Sequence, residues 1–316
     1  MSRVRGNAAA QALFRSAMDA GTLHHAWLLS GPQGIGKSTF ARETATSLLS
    51  EAARDLGSAR TRALIEAGSH PDFRVLERLP KDGKPDAELA RSITISQVRS
   101  LNPLFATTPS LSSRRVILID AVDDLERSGA NALLKNLEEP PAGTIFLLIS
   151  HAPGRLLPTV RSRCRLLRFE PLDREEMAAA LDALLPEATP DERDTLIRVG
   201  MGSPGRALRF AGLGLEKIDE ALQRIARDGD RDNAERVRLM RALSLKAAQS
   251  RYEAFLDRVP TFLAEQAPYR SGQALRTALD AYDDARQIAS SARALSLDAG
   301  GTVFELAGVV ARLARG

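Results

Sequence analysis

The chain has 316 residues, 44% hydrophobic and 27% charged, with a formal net charge of +4. That composition suits a folded, water-facing protein of two or three domains. No run approaches eighteen uncharged apolar residues, which excludes a membrane-spanning helix, and the single cysteine, Cys164, excludes an internal disulfide and a cysteine-built zinc site.

The opening residues MSRVRGNAAA carry no apolar core of signal-peptide length, so a cytoplasmic protein is expected. Residues 7–20 read as a short amphipathic helix. Ala26 to Leu29 is an apolar run, followed by Gly31-Pro32-Gln33-Gly34-Ile35-Gly36-Lys37-Ser38 and a helical stretch from Thr39 to Leu49. This matches G-x-x-x-x-G-K-[ST] in full, in the strand–loop–helix context the motif requires. Glycines let backbone N–H groups close around phosphate oxygens at a helix N-terminus. Gly31, Gly34 and Gly36 would shape that loop, with Thr39 at its helix. Lys37 would reach the outer phosphates of ATP and Ser38 would hold Mg²⁺.

Phe73 to Leu76 is a candidate strand after His70-Pro71-Asp72, and Lys81-Asp82-Gly83-Lys84-Pro85-Asp86 reads as an exposed loop. Ile93 to Leu101 reads as a helix with Ser92 or Thr94 near its start, and Thr107 to Ser113 as a polar turn. Val116 to Ile119, four large apolar residues with three β-branched, suggests a strand buried on both faces. It ends on Asp120, where ligands of open α/β sheets bind. Asp120 therefore reads as the acidic residue near the metal. The helix that follows can be capped by Ser128 and places Ala130, Leu133, Leu134 and Leu137 on one stripe. Pro140 and Pro141 stop it. Asp124 and Glu126 are expected to cap the intervening turn. Ile145 to Ile149 is another buried strand, and Arg165 to Phe169 a last short one. Strands alternating with helices imply an α/β domain with a parallel sheet.

Pro171-Leu172-Asp173 marks a boundary. Asp173 can cap a helix from Arg174 to Leu185, Pro190 starts another to Val199, and Gly202-Ser203-Pro204-Gly205 breaks the chain before Arg206 to Phe210. From Gly214 onward the apolar residues keep helical spacing, interrupted at Pro260 and Pro268. The divisions expected are residues 1–171, an α/β P-loop domain; 172–212, a small helical lid; and 213–316, an all-helical C-terminal domain.

Several segments together carry a resemblance. "LHHAWLLSGPQGIGKST", "AGSHPDF", "NALLKNLEEPP", Ser162-Arg163-Cys164 and "GSPGRAL" occur in this order between about residues 8 and 210. In this the chain resembles the clamp-loader branch of the AAA+ ATPases. The resemblance implies an AAA+ nucleotide fold, then a lid and a helical collar. It also implies membership of a hetero-pentameric ring that opens a sliding clamp and places it on primed DNA. The partners implied are motor ATPase subunits, a clamp-opening subunit, the clamp and DNA, with no membrane. Related subunits usually carry a cysteine-based zinc module after the P-loop. Here Glu51 to Gly68 holds no such ligands, so that module is expected to be reduced to a helix or lost, with no structural zinc. Of the histidines only the adjacent His24 and His25 stand close enough to pair.

An active hydrolase of this kind needs a glutamate directly after the metal-side aspartate. This chain has Asp120-Ala121-Val122-Asp123. A methyl group cannot position water, and positioning supplies most of the catalysis in phosphoryl transfer. Little intrinsic ATPase is expected, and no polymerase site. Ser150 or His151 could be the polar sensor. The lid arginine of motor subunits aligns with Gly205, and Arg206 stands one place later. In the family the Ser-Arg-Cys motif points toward the neighbour's nucleotide, so Arg163 would act as an arginine finger in trans, a role that suits its permanently charged fork. The expectation is a largely stationary clamp-loader subunit. The alternatives are a motor-type clamp-loader ATPase, favoured by the intact Lys37-Ser38, and a non-replicative P-loop switch. Five arginines, Arg155, Arg161, Arg163, Arg165 and Arg168, form a local basic cluster with no acid among them. Cys164 is expected to pack rather than react.

Overall fold

A computed structural model describes residues 4–52, 57–81, 84 and 89–315. The elements are, in order, α1 (Ala8–Asp19), β1 (Ala26–Ser30), α2 (Lys37–Glu51), α3 (Ser58–Glu66), β2 (Phe73–Glu77), α4 (Ile95–Arg99), α5 (Asn102–Phe105), β3 (Arg115–Asp120), α6 (Arg127–Glu138), β4 (Thr144–Ser150), α7 (Pro158–Arg161) and β5 (Arg165–Arg168). Helices alone follow: α8 (Arg174–Leu184), α9 (Pro190–Gly200), α10 (Pro204–Leu208), α11 (Leu215–Asp228), α12 (Ala234–Leu243), α13 (Gln249–Gln266), α14 (Gly272–Leu295) and α15 (Ala299–Ala311). The chain divides into two compact units. The first runs to Ala180 and takes in Gly202–Gly205; the second holds Leu181–Met201 and everything from Arg206.

In the first unit the five strands form one sheet in the order β2-β3-β4-β1-β5, and every pairing is parallel. The expected parallel α/β sheet is therefore observed. β1, β3 and β4 are central, and their apolar residues are buried on both faces. Alternation assigns the two faces. Ala26 and Leu28 join Ile117, Ile119, Phe146 and Leu148 in a core covered by Val98 of α4, Leu133 and Leu137 of α6, and Val160 of α7. Trp27 faces the other way. Its ring lies 4.7 Å from Phe14 of α1, and Phe40 of α2 bridges Phe14 and Phe169 at 5.7 and 5.3 Å.

His70-Pro71-Asp72 has a structural use. The buried Asp72 carboxylate accepts the N–H groups of Ser110, Leu111 and Ser112 at 2.7, 2.8 and 3.0 Å, which ties the polar turn before β3 to the start of β2. Thr94, not Ser92, caps α4, in a reciprocal capping box with Gln97. Ser92 instead donates to Glu126 at 3.0 Å. α6 begins one residue before Ser128, and no side chain caps it. Its entry is fixed by tertiary bonds: Ile93 donates to the Asp124 carbonyl and Glu126 N–H to the Ile93 carbonyl. Asp124 pairs with Arg78 at 3.1 Å rather than capping the turn. Part of the Glu51–Gly68 interval is α3, while residues 53–56 of it, and Asp82, Gly83, Pro85 and Asp86 of the expected loop, lie outside the described residues.

In the second unit Pro260 lies inside α13 and does not end it. A proline there removes one backbone donor. Phe255, Val259, Phe262 and Leu263 on the same helix are buried around it and hold the helical path. Arg258 and Asp219 are both buried and pair at 2.5 and 3.0 Å, with Glu265 at 2.9 Å as a second acid. α14 turns its alanines, Ala278, Ala281, Ala285, Ala289 and Ala292, inward. No helix among the described residues is long and apolar enough to cross a membrane.

Candidate nucleotide site

β1 delivers the chain to the loop at Gly31, and α2 starts at Lys37. Gly31 has φ 149°, and a Cβ there would sit 2.2 Å from the Phe169 carbonyl oxygen, so only glycine fits. Its N–H donates to the Ser150 carbonyl at 3.2 Å, which joins the loop to the end of β4. Lys37 Nζ donates to the Gly31 and Pro32 carbonyls, both at 2.6 Å. Burial lowers its pKa to about 8, against the pull of Asp120 and Asp123. Ser38 Oγ donates to Asp120 Oδ2 at 2.5 Å, so the hydroxyl and carboxylate expected at a metal converge. Thr39, the next residue, is exposed.

Ala121 is buried, 3% exposed. Asp123, two residues on, is fully engaged by the end of β4. Its carboxylate accepts Ser150 Oγ at 2.9 Å, His151 N–H at 2.7 Å and Ala152 N–H at 3.3 Å. It is an anchor for the strand exit, not a free carboxylate beside Asp120. Ser150, one of the two expected sensors, spends its hydroxyl on that anchor. His151 lies near Lys37. Desolvation and the Lys37 ammonium hold its pKa below the ordinary value, opposed by Asp123, Asp120 and Asp124.

The segment Gly202–Gly205 packs on the P-loop. Ser203 Oγ donates to the Gln33 carbonyl, and Gly205 N–H to the Gly34 carbonyl, both at 2.8 Å. A Cβ at Gly205 would meet Gly34 Cα at 2.7 Å and Gly34 O at 2.8 Å. Gly205, expected from the sequence to stand where a motor subunit has its lid arginine, thus has no room for a side chain. Arg206 directs its guanidinium to Thr261 Oγ1 of α13 at 3.1 Å.

Arg163 follows α7 on the first unit. Its Nη1 donates to the Thr159 carbonyl at 2.8 Å, and its Nη2 meets Glu138 Oε1 at 2.6 Å. Cys164 packs against the core, and burial raises its thiol pKa to about 12, the behaviour of an inert thiol. Sequence reasoning missed Glu138. It stands in "NALLKNLEEPP", but nothing local to that segment names Arg163 as its partner. Among the described residues no group of three His, Cys, Asp or Glu side chains is placed to hold a metal ion.

A complete phosphate-binding loop on β1, with an acid-ending β3 in the same parallel sheet, defines a P-loop nucleotide-fold protein. A family model described as "DNA polymerase III, delta subunit" matches residues 6–173. The chain belongs to this family, among the delta-prime subunits. It is 40% identical over 199 residues to the DNA polymerase III subunit delta' of Pseudomonas aeruginosa, covering 61% of this chain and 57% of that protein. It is 33% identical over 200 residues to the subunit delta' of Escherichia coli, covering 60% and 55%. The match thus spans little more than half the length of these relatives. A solved gamma subunit-related protein from Thermotoga maritima aligns with 95% of this chain and 98% of its own at 16% identity, with a TM-score of 0.46.

Proposed function

We propose that the chain is a clamp-loader subunit of the delta-prime type that keeps the nucleotide fold without the motor chemistry. It would sit in a cytoplasmic hetero-pentameric ring with motor ATPase and clamp-opening subunits, act with them on the sliding clamp and primed DNA, and supply Arg163 to a neighbouring site. The observation that carries this reading is the buried Ala121 beside Asp120, with the next acid, Asp123, bonded to β4. Residues 172–212 would serve as a lid and 213–316 as a collar toward other subunits.

The residues at the loop fit ATP and Mg²⁺. Lys37 would take the phosphates, and Ser38 and Asp120, which already meet, would hold the metal. Bound there, Mg²⁺ would neutralise phosphate charge. No side chain next to Asp120 would orient an attacking water, so binding outlasts turnover. In a partner's site Arg163 would meet charge developing on the γ-phosphate, the geometry that gives fingers ~10³–10⁵ in rate in GTPases.

The intact Lys37-Ser38 pair favours one other reading, a motor subunit. The isolated chain separates the two: Mg²⁺–ATP binding that Lys37→Ala removes, with negligible hydrolysis, supports the stationary subunit. Robust turnover in a preparation free of other ATPases supports the motor. For the finger, rings are reconstituted with Arg163→Ala or Arg163→Lys and checked by gel filtration. Both variants should assemble, Arg163→Ala should lower clamp- and DNA-stimulated ATPase, and lysine, lacking the fork, should not restore it. Wild-type clamp loading by Arg163→Ala rings would refute the assignment.

A further inference from the structure

Glu138 is the residue at this site that the reading above leaves without a task. It is the last residue of α6, and a carboxylate at a helix C-terminus faces the negative end of the macrodipole. Its placement is therefore unfavourable unless a cation meets it, and the cation it meets is Arg163, at 2.6 Å. Both residues are seated by one core. Leu137, directly before Glu138, is buried in it, and so is Val160, while Cys164, directly after Arg163, packs against it. The end of α6 is held a second time, by His25 Nε2 against the Leu137 carbonyl at 3.0 Å.

The bonds divide the guanidinium in a specific way. Nη1 donates to the Thr159 carbonyl at 2.8 Å and to Ser162 Oγ at 3.4 Å, and Nη2 stands in ion-pair contact with Glu138 Oε1 at 2.6 Å. A guanidinium has five N–H donors in a rigid plane. Both terminal nitrogens are thus held, and with them the plane in which the fork's remaining donors would meet a phosphate. The side chains are 33% and 49% exposed, so the ion pair adds at most about 1 kcal/mol to stability. What it supplies is orientation of a long side chain that would otherwise sample many rotamers.

We propose that Glu138 is the positioning residue of the finger: together with the Thr159 carbonyl it fixes the Arg163 guanidinium that is presented to the neighbouring subunit's phosphate. The inference rests on the trans-finger reading of Arg163. Because the finger acts in the transition state, loosening it lowers kcat more than it raises KM for ATP.

The test reconstitutes the ring with Glu138→Ala, Glu138→Gln, Arg163→Ala and the Arg163→Ala/Glu138→Ala double variant, each confirmed assembled. Stimulated kcat and KM are measured with Mg²⁺–ATP, clamp and primed DNA. Glu138→Ala should lose roughly threefold or more in kcat with KM nearly unchanged, as misplacement of a reacting group does. Glu138→Gln keeps an oxygen acceptor and should recover most of the loss. The double variant should be no slower than Arg163→Ala. If Arg163→Ala slows the ring while Glu138→Ala leaves kcat unchanged or faster, or if the two losses multiply, the positioning role is refuted and the finger stands. If Arg163→Ala itself has no effect, the finger reading fails first.

Discussion

Asp123 is the side chain whose removal best separates a structural anchor from a catalytic acid. In Asp123→Ala three donors lose their acceptor. The His151 N–H bond is itself exposed, so that donor turns to water at little cost. The Ser150 hydroxyl is 0% exposed and finds no replacement, and a buried donor so stranded costs about 1–3 kcal/mol. With a smaller share for the half-buried Ala152 N–H, the variant should lose about 2–3 kcal/mol. Trp27 is the single tryptophan and is buried in β1, where Ser30 is in register with Ser150, so its fluorescence in a urea titration follows the first unit's sheet. Asp124→Ala is the control. It removes a partly exposed pair with Arg78 and should cost under about 1 kcal/mol. Adding Ser150→Ala to Asp123→Ala should recover part of the loss, because the stranded hydroxyl goes with it. A loss in Asp123→Ala no larger than in Asp124→Ala would refute the anchor. So would an Asp123→Asn variant that keeps full stability yet abolishes a measurable ATPase.

Three further outcomes are expected. Lys37 has a folded pKa of about 8 against an ordinary 10.5, so the unfolded chain binds the extra proton between these values and stability should rise with pH across that window; Lys37→Met should remove this rise in Trp27-monitored titrations, and a slope that persists in the variant would assign it elsewhere. Gly205→Ala drives a methyl into Gly34 and should destabilise the first unit by about 1–3 kcal/mol, with Gly205→Arg no better, so an arginine grafted there that binds ATP more tightly without loss of stability would contradict the packing. Asp219→Ala leaves Arg258 buried without its main partner and should cost about 3–5 kcal/mol. The loss should appear in a helical circular-dichroism transition, while an unfolding confined to the Trp27 signal would place the pair's effect in the wrong unit.

The P-loop was legible because its determinants are local: each glycine, Lys37 and Ser38 lie within one strand–turn–helix. The buried strands were legible for the same reason, as short apolar runs with punctuated ends, β-branched in the case of β3. What escaped depends on partners distant in sequence. Ser128 looked like a cap because it precedes an apolar stripe, yet the start of α6 is set by Ile93 and Ser92 arriving from another segment. Pro260 looked like a stop because propensity weighs the lost donor and cannot weigh the aromatic and aliphatic side chains buried around it. Ala121 could be read as a missing carboxylate, but Asp123 turns away to hold the end of β4, a partner 27 or more residues on that no local pattern names. The same holds for Gly205, which the sequence offers only as a glycine where the resemblance leads one to expect an arginine, and which in space is a close backbone approach to Gly34.

The strand order leaves an open sheet with β2 at one side and β5 at the other, and an open side is a template for pairing with a foreign strand. β5 turns Arg165 and Arg168 to solvent on either side of buried Leu167, and Arg165 also covers the Trp27 ring at 5.0 Å. At the opposite margin β2 exposes Arg74 after buried Phe73 and Glu77 after buried Leu76. Each margin therefore carries fixed charge within a run of otherwise sticky residues, Leu166 included. Charged margins of this kind resist the joining of one copy to another edge to edge, and leave association to side chains rather than to unpaired backbone.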